Sequence, residues 1–533
     1  MQMRRTVVVL VLGLVVGVWP AASGAAHGSA ARQAAPARSL QADFNNDGAD
    51  DLAVGVPLDR VGAVVGAGAV NVLYGSASGL TGSGSQLFGQ DTPGLPGVAE
   101  ADDGFGSALA TGDFNNDTFA DLAVGVPGEG VGSVVAAGAV NVLYGSASGL
   151  TGTGGHLFPQ AGGAVEAGDQ FGFTVAAGDF NHDSFADLAV GAPFEGVGGT
   201  VDAGAVSVLP GSPAGLSAVG GRLFTQVAGT VEAGDQFGFA VAAGDFNHDS
   251  FADLAAGAPS EDVGGTVDAG AVSVLPGSPA GLSAVGGRLF TQVGSAAELG
   301  DQFGFALAAG DFDNDTFADL AAGAPFEAVG STVDAGAVSV LPGSPAGLSA
   351  VGGRLFTQVA GTVEAGDEFG FTVAAGDFNG DTFADLGVGA LVEDVGGTVD
   401  AGAVSVLPGS PTGLSAVGGR LFTQVGGTVE TGDGFGSALA AGDFNGDSFA
   451  DLGVGAPFED VGGTVDAGAV SVLSGSPTGL TTAGGQLFTQ DTPGVPGSAQ
   501  ELDFFGFTLA TGDSGPAAAS GPASRARKTA SSR

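Results

Sequence analysis

Residues 179–193 read DFNHDSFADLAVGAP, with Phe171 and Gly172 placed eight residues ahead of the first aspartate. Asp179, Asn181, Asp183 and Asp187 fall at positions 1, 3, 5 and 9 of the stretch, a spacing that belongs to a loop rather than to a helix or a strand. A chain folding back on itself can aim alternate side chains at one cation, and hard oxygen ligands at this spacing suit calcium. A backbone carbonyl at position 7, here Phe185, would complete the set. The run DLAVGAP that follows is short, apolar and closed by Gly and Pro, so it reads as a buried strand starting where the loop ends.

The stretch recurs. Its first aspartate stands at 43, 113, 179, 245, 311, 377 and 443, spacings of 70 and then five times 66, and a partial unit DFFGFTLATGD ends at Asp513. A period of this length means an array of one supersecondary unit. In the unit beginning at Phe171, FGFTVAAGD, DLAVGAP, AVSVLP and GRLFTQ read as four short strands separated by turn signals, as in one propeller blade. Small residues on the first strand suit the crowded centre, and the Leu and Phe of the fourth suit the perimeter. The first unit has the loop without the FG segment, whereas the last has the FG segment without the loop. The fold expected is therefore all-β: a seven-bladed propeller over 43–513, closed by a C-terminal strand near 505–511 that completes the first blade. A truncated eighth unit is the other reading of that end.

The chain opens with Arg4 and Arg5, an apolar run from Val7 to Trp19 and small residues through Ala26, the layout of a secretory signal peptide over 1–26. Residues 27–42 form an Ala-, Arg- and Pro-rich linker, and 514–533 a small, polar, basic tail; both read as disordered. There is no cysteine, so a secreted form would lack disulfides and need another source of stability. Glycine accounts for 102 of 533 residues, and its fixed places in each repeat point to turns and close packing rather than disorder. A formal net charge of -44 argues against nucleic acid or an anionic membrane as partner, and no membrane insertion is expected after signal cleavage.

The pattern FG, then GDFN.D...DL.VGAP, then GAV.VL.GS resembles the FG-GAP repeat of integrin alpha-subunit propellers and of secreted bacterial proteins. That resemblance implies a seven-bladed β-propeller with calcium held between the first and second strands of each blade. Carried over by position, the ligands in the first two loops would be Asp43, Asn45, Asp47 and Asp51, then Asp113, Asn115, Asp117 and Asp121. The third and fourth loops offer Asp179, Asn181, Asp183 and Asp187, then Asp245, Asn247, Asp249 and Asp253. The last three offer Asp311, Asp313, Asp315 and Asp319; Asp377, Asn379, Asp381 and Asp385; and Asp443, Asn445, Asp447 and Asp451. Up to seven calcium ions are implied. Glycine is preferred at position 6, where φ is positive, yet only Gly48 obeys; the others are Thr118, Ser184, Ser250, Thr316, Thr382 and Ser448. Either those loops turn differently or their affinity is reduced.

Other features carry less chemistry. His182 and His248 at position 4 should point to solvent, and His182, Asp183 and Ser184 are too close in one tight loop to form a catalytic triad. Acid pairs such as Glu166 and Asp169 precede each FG and read as turn caps. Arg222, Arg288, Arg354 and Arg420 recur in GGRLFTQ and read as solvated strand-end residues, or as a ring for an anionic ligand. The function expected is a secreted, extracellular, non-enzymatic binding or adhesion module, a monomer whose ligand is a polysaccharide or a protein. Near-identical blades suit a repetitive partner. A secreted hydrolase or lyase, with a site in the central channel or in the long connections 90–104 and 490–504, and a purely structural surface protein are the alternatives.

Overall fold

The computed structural model describes residues 42–359 and 361–511. The expected signal peptide, all but the last residue of the linker, Asp513 and the basic tail lie outside the described residues. Seven four-stranded antiparallel sheets make up the described chain. In the third blade the strands are Thr174–Gly178, Asp187–Ala192, Ala205–Leu209 and Arg222–Phe224, hydrogen-bonded in that order from one edge to the other. The first strands of successive blades touch one another all the way round, which places them at the centre of a β-propeller.

The glycines of FG and GAP explain why the blades can approach so closely. A Cβ on Gly191, the glycine of GAP, would lie 2.1 Å from the carbonyl oxygen of Gly238, the glycine of FG in the next blade. The same collision recurs at 2.0–2.2 Å for Gly55, Gly125, Gly257, Gly323, Gly389 and Gly455, so any side chain there would push two sheets apart. The FG glycine also sits at positive φ, 86° for Gly238, while its N–H donates to the Gly257 carbonyl of its own blade at 2.9 Å. Beside it the FG phenylalanines Phe105, Phe171, Phe237, Phe303, Phe369, Phe435 and Phe505 are all buried. The core therefore lies between sheets, and the second strand is buried along its whole length on both faces.

Ring closure follows the expectation drawn from the incomplete ends. Thr508–Ala510 pairs antiparallel with Leu52–Val56, with Ala53 opposite Ala510, and becomes the inner strand of the first blade. Thr508 Oγ1 donates to the Gly106 carbonyl at 2.7 Å, and Thr511 Oγ1 bonds the Ala441 carbonyl of the seventh blade.

Two details depart from the sequence reading. The outer strand has only three residues in blades three to six, where the residues before the arginine turn instead of pairing, the Gly221 N–H donating to the Ala218 carbonyl at 3.1 Å. It runs eight or nine residues in the others, Thr81–Phe88, Thr151–Pro159 and Thr481–Phe488. The centre is also not lined by small residues alone. Phe173, Phe239, Phe305 and Phe371 pack in an arc with ring centroids 5.0–5.2 Å apart and planes tilted by 43–53°, while Ser107 and Ser437 hold the equivalent places in blades two and seven.

Candidate functional site

The acidic loops link the first and second strands of every blade, and each is built around its own carboxylates. The position-1 aspartate accepts the N–H of position 5 on one oxygen at 2.9–3.1 Å and the N–H of position 6 on the other at 2.7–3.0 Å. The position-5 aspartate accepts the N–H of position 7, as Asp183 does from Phe185 at 3.0 Å. The position-9 aspartate sits behind the loop. One of its oxygens takes the N–H of position 2, and the other takes a glycine N–H at the turn after the third strand, as Asp187 does from Phe180 at 3.2 Å and Gly211 at 2.9 Å. Backbone donors thus aim the carboxylates before any ion is considered.

Position 3 completes the picture. The Oδ1 atoms of Asn45, Asn115, Asn181 and Asp313 are buried without a hydrogen-bond partner, whereas those of Asn247, Asn379 and Asn445 accept the position-5 N–H at 2.8–2.9 Å. An orphaned buried acceptor facing two carboxylates is an arrangement that a hard cation completes. In the fifth loop, which alone has aspartate at position 3, ligand atoms of Asp311, Asp313 and Asp315 lie within 4.8 Å of one another. The residues present therefore fit calcium at positions 1, 3 and 5, with position 9 as a buried anchor. Burial pushes the position-9 carboxyls up, to about 9 at Asp51, about 8 at Asp121 and Asp319, and about 7 at Asp187, Asp253, Asp385 and Asp451, aided by neighbouring carboxylates.

The question raised by position 6 has a definite answer, for the loops without glycine keep the turn. Thr118, Ser184, Ser250, Thr316, Thr382 and Ser448 all adopt φ between 74° and 82°. Position 4 is left-handed as well, from Asn314 at 55° to Gly380 at 72°, which accounts for its restriction to Asn, His and Gly.

Each loop is also tied to the next. The position-1 carbonyl accepts the position-8 N–H of the following loop, as Asp179 does from Ala252 at 3.0 Å, and Asp443 closes the circle by accepting from Asp50 at 2.9 Å. His182 and His248 are exposed but not simply solvated. Their rings meet Phe251 and Phe317 of the next loop edge-on at 5.9 and 5.8 Å, so position 4 serves loop-to-loop contact. The arginines are likewise more than solvated strand ends. Arg222 lies over Phe224 at 5.2 Å and donates to the Leu282 carbonyl of the next blade at 2.8 Å, and the other three repeat this tie. Between Arg420, Asp381 and the turn 477–480 of the next blade lies a cleft of ≈ 290 Å³.

The acids before each FG do cap turns, Asp169 accepting the Glu166 N–H at 2.7 Å. What the sequence reading missed is their partner. Asp169 faces Glu195, which begins the connection after GAP, and Gln160 donates to Glu195 Oε2 at 3.0 Å. A Gln, Glu and Asp set of this kind recurs at the blade junctions; the available signal was the glutamine just beyond every fourth strand and the acid two residues after each GAP.

Comparison with known proteins agrees with this architecture. The FG-GAP repeat model matches residues 105–143, 171–209, 237–275, 303–341, 369–407 and 435–473. The chain is an FG-GAP repeat propeller of the integrin alpha-like kind. It is 33% identical to integrin alpha-PS2 of Drosophila melanogaster over 231 residues, 41% of this chain and 15% of that protein. It is 32% identical to integrin alpha-5 of Xenopus laevis over 232 residues, 42% of this chain and 20% of that protein. Phosphatidylinositol-glycan-specific phospholipase D of Bos taurus matches at 35% over 161 residues, 30% of this chain and 18% of that enzyme. The chain thus spans about a fifth or less of the length of these relatives. Among the described residues no helix is long and apolar enough to cross a membrane.

Proposed function

We propose that this propeller is a secreted, calcium-conditioned binding module for an extracellular polysaccharide or protein, acting without catalysis. The observation that carries the reading is the pair of backbone-aimed carboxylates repeated in every loop of the ring, with an orphaned position-3 oxygen beside them in four of the seven. Calcium in each loop would neutralise carboxylates that otherwise repel, and would lock the loop-to-loop hydrogen bonds on which the spacing of the blades depends. The calcium ligands are those at positions 1, 3 and 5 of each loop, with position 9 as the anchor or a further ligand.

The ligand is proposed to be repetitive. Blades three to six present the same arginine, the same proline (Pro210, Pro276, Pro342, Pro408) and the same loop aspartate at position 5, so one recognition unit is offered four times at a fixed angular interval. Weak contacts of each unit with successive repeats of a polymer or matrix protein then add through effective concentration. The test is binding of the full chain to immobilised polysaccharides and matrix proteins, with millimolar calcium and then with chelator. Calcium-dependent retention on one class supports the reading, and retention unaffected by chelator, or none on any surface, sinks it.

A further inference from the structure

We infer that six of the seven blade junctions are a second set of cation sites, each formed by the buried Gln, Glu and Asp set and distinct from the acidic loops. At the junction centred on Glu195 the three side chains are buried, with Gln160, Glu195 and Asp169 at 7%, 5% and 2% exposure. The two carboxylates face one another, and Glu166 stands exposed at the mouth with its charge felt by both. The clusters are over-supplied with acceptors. Oε1 of Gln90, Gln160, Gln226, Gln292, Gln358 and Gln424 has no hydrogen-bond partner at any of the six junctions. Oε2 of Glu261, Glu327, Glu393 and Glu459 has none either, although at three of these junctions the amide nitrogen of Gln226, Gln358 or Gln424 is an unpartnered donor beside it. The donors present leave the glutamine oxygen unpaired at all six junctions, and hard oxygens from two carboxylates and an amide suit a calcium-class divalent ion with waters filling the remaining positions.

The chain cannot supply that charge itself. Residues 42–511 contain five arginines and no lysine, and four of those arginines are committed to carbonyls at the outer strands. The fifth, Arg60, is at the seventh junction, where the ring closes. There the cluster differs at each acidic position that matters. Asp59 stands in place of the buried Glu, Gln500 in place of the exposed Glu, and Arg60 acts directly on Asp503. Gln490 and Gln500 donate to the two oxygens of Asp59 at 3.3 Å each, although Gln490 Oε1 is unpartnered like its counterparts. One junction thus carries its own cation and fewer acids, while six carry three acids and none; the balance is restored if those six take an ion from solution.

The loop ring and the junction ring lie at opposite ends of the second strand, separated by six strand residues or ~20 Å. Their occupancy can therefore be altered independently. Native mass spectrometry of the full chain in calcium should count more than seven ions, up to thirteen. Glu→Gln substitution at 129, 195, 261, 327, 393 and 459 together should remove six of them, and Glu261→Gln alone, which keeps folding secure, should remove one. Asp249→Ala, in a loop, should remove one ion without touching the junction count. Seven ions or fewer with no change on Glu→Gln substitution would mean that the junctions hold protons or water, and overturns the inference. A count above seven that ignores the substitutions overturns it equally. Loss of ions on Glu→Gln substitution in a chain where Asp249→Ala changes nothing would uphold the junction sites and remove calcium from the loops instead.

Discussion

The loop ring and the junction ring are built from the same material, two or more carboxylates per blade, yet they handle it differently. In the loops both oxygens of the position-1 and position-9 aspartates already accept backbone N–H groups, so their geometry exists before an ion arrives. At the junctions the Asp accepts one backbone N–H, as Asp169 does from Glu166, whereas the Glu depends on a side-chain amide and several buried oxygens have no partner. Equal charge density therefore gives a preorganised site in one place and a frustrated cluster in the other. The number of backbone donors is what separates them: four to the position-1 and position-9 aspartates of a loop together, one to the aspartate of a junction.

Removing calcium is the strongest way to press on both rings at once. At a Kd of about 0.1 mM and about 2 mM calcium each loop would contribute about 1.8 kcal/mol, and seven about 12 kcal/mol, comparable to the stability of an ordinary domain. Chelator is accordingly expected to lower the thermal midpoint, followed by circular dichroism, by tens of degrees. An unchanged midpoint would mean that the loops are only turns.

Acidity should then act in an unusual direction. The position-9 carboxyls are pushed up to about 7–9 by burial, and Glu195, Glu261, Glu327, Glu393 and Glu459 to about 7. A folded-state value raised above the unfolded one contributes stability that is full below the ordinary carboxylate range and is lost as pH rises through the folded value. The chelated chain should melt higher at pH 5 than at pH 9. Saturating calcium, by holding the carboxylates ionised, should flatten or reverse that trend.

Single substitutions sharpen the contrast on a smaller scale. Asp253→Ala strands the buried N–H groups of Gly277 and Phe246, which Asp253 accepts at 2.8 and 3.2 Å, and should destabilise by roughly 2–4 kcal/mol. At the junction, Glu261→Gln measured in chelator removes one of two facing acids and should stabilise by up to about 1 kcal/mol. Ser250→Gly relieves a side chain held at φ 74° and is expected to gain roughly 1 kcal/mol in denaturant titration.

The sequence made the loops legible because their ligands lie within nine residues of one another, where spacing alone carries the geometry. Blade number and ring closure were legible for a related reason, since the missing FG segment at one end matched the surplus one at the other. The junctions were not, because Gln160, Asp169 and Glu195 meet only once two blades pack, across sequence gaps that no local motif spans. The positive φ at position 6 was foreseen, but its tolerance of Ser and Thr was not. That tolerance depends on two donors to the position-1 carboxylate, which hold the turn whatever residue occupies it. The role of the arginines was hidden in the same way, for their acceptors belong to the neighbouring blade.

The pairing of Ala510 with Ala53 sets a clock on biosynthesis. Until the last strand has been made, the first blade has three strands and an unpaired inner edge, a template for pairing with another chain. With roughly 450 residues between the two partners and elongation at about 5–20 residues per second, that edge stays open for on the order of a minute. Closing so long a loop then carries an entropic cost of about 5 kcal/mol beyond the constant term. A chain exported before it folds would meet calcium and its own final strand at the same moment, and the edge would never be exposed at the concentrations of the cell interior.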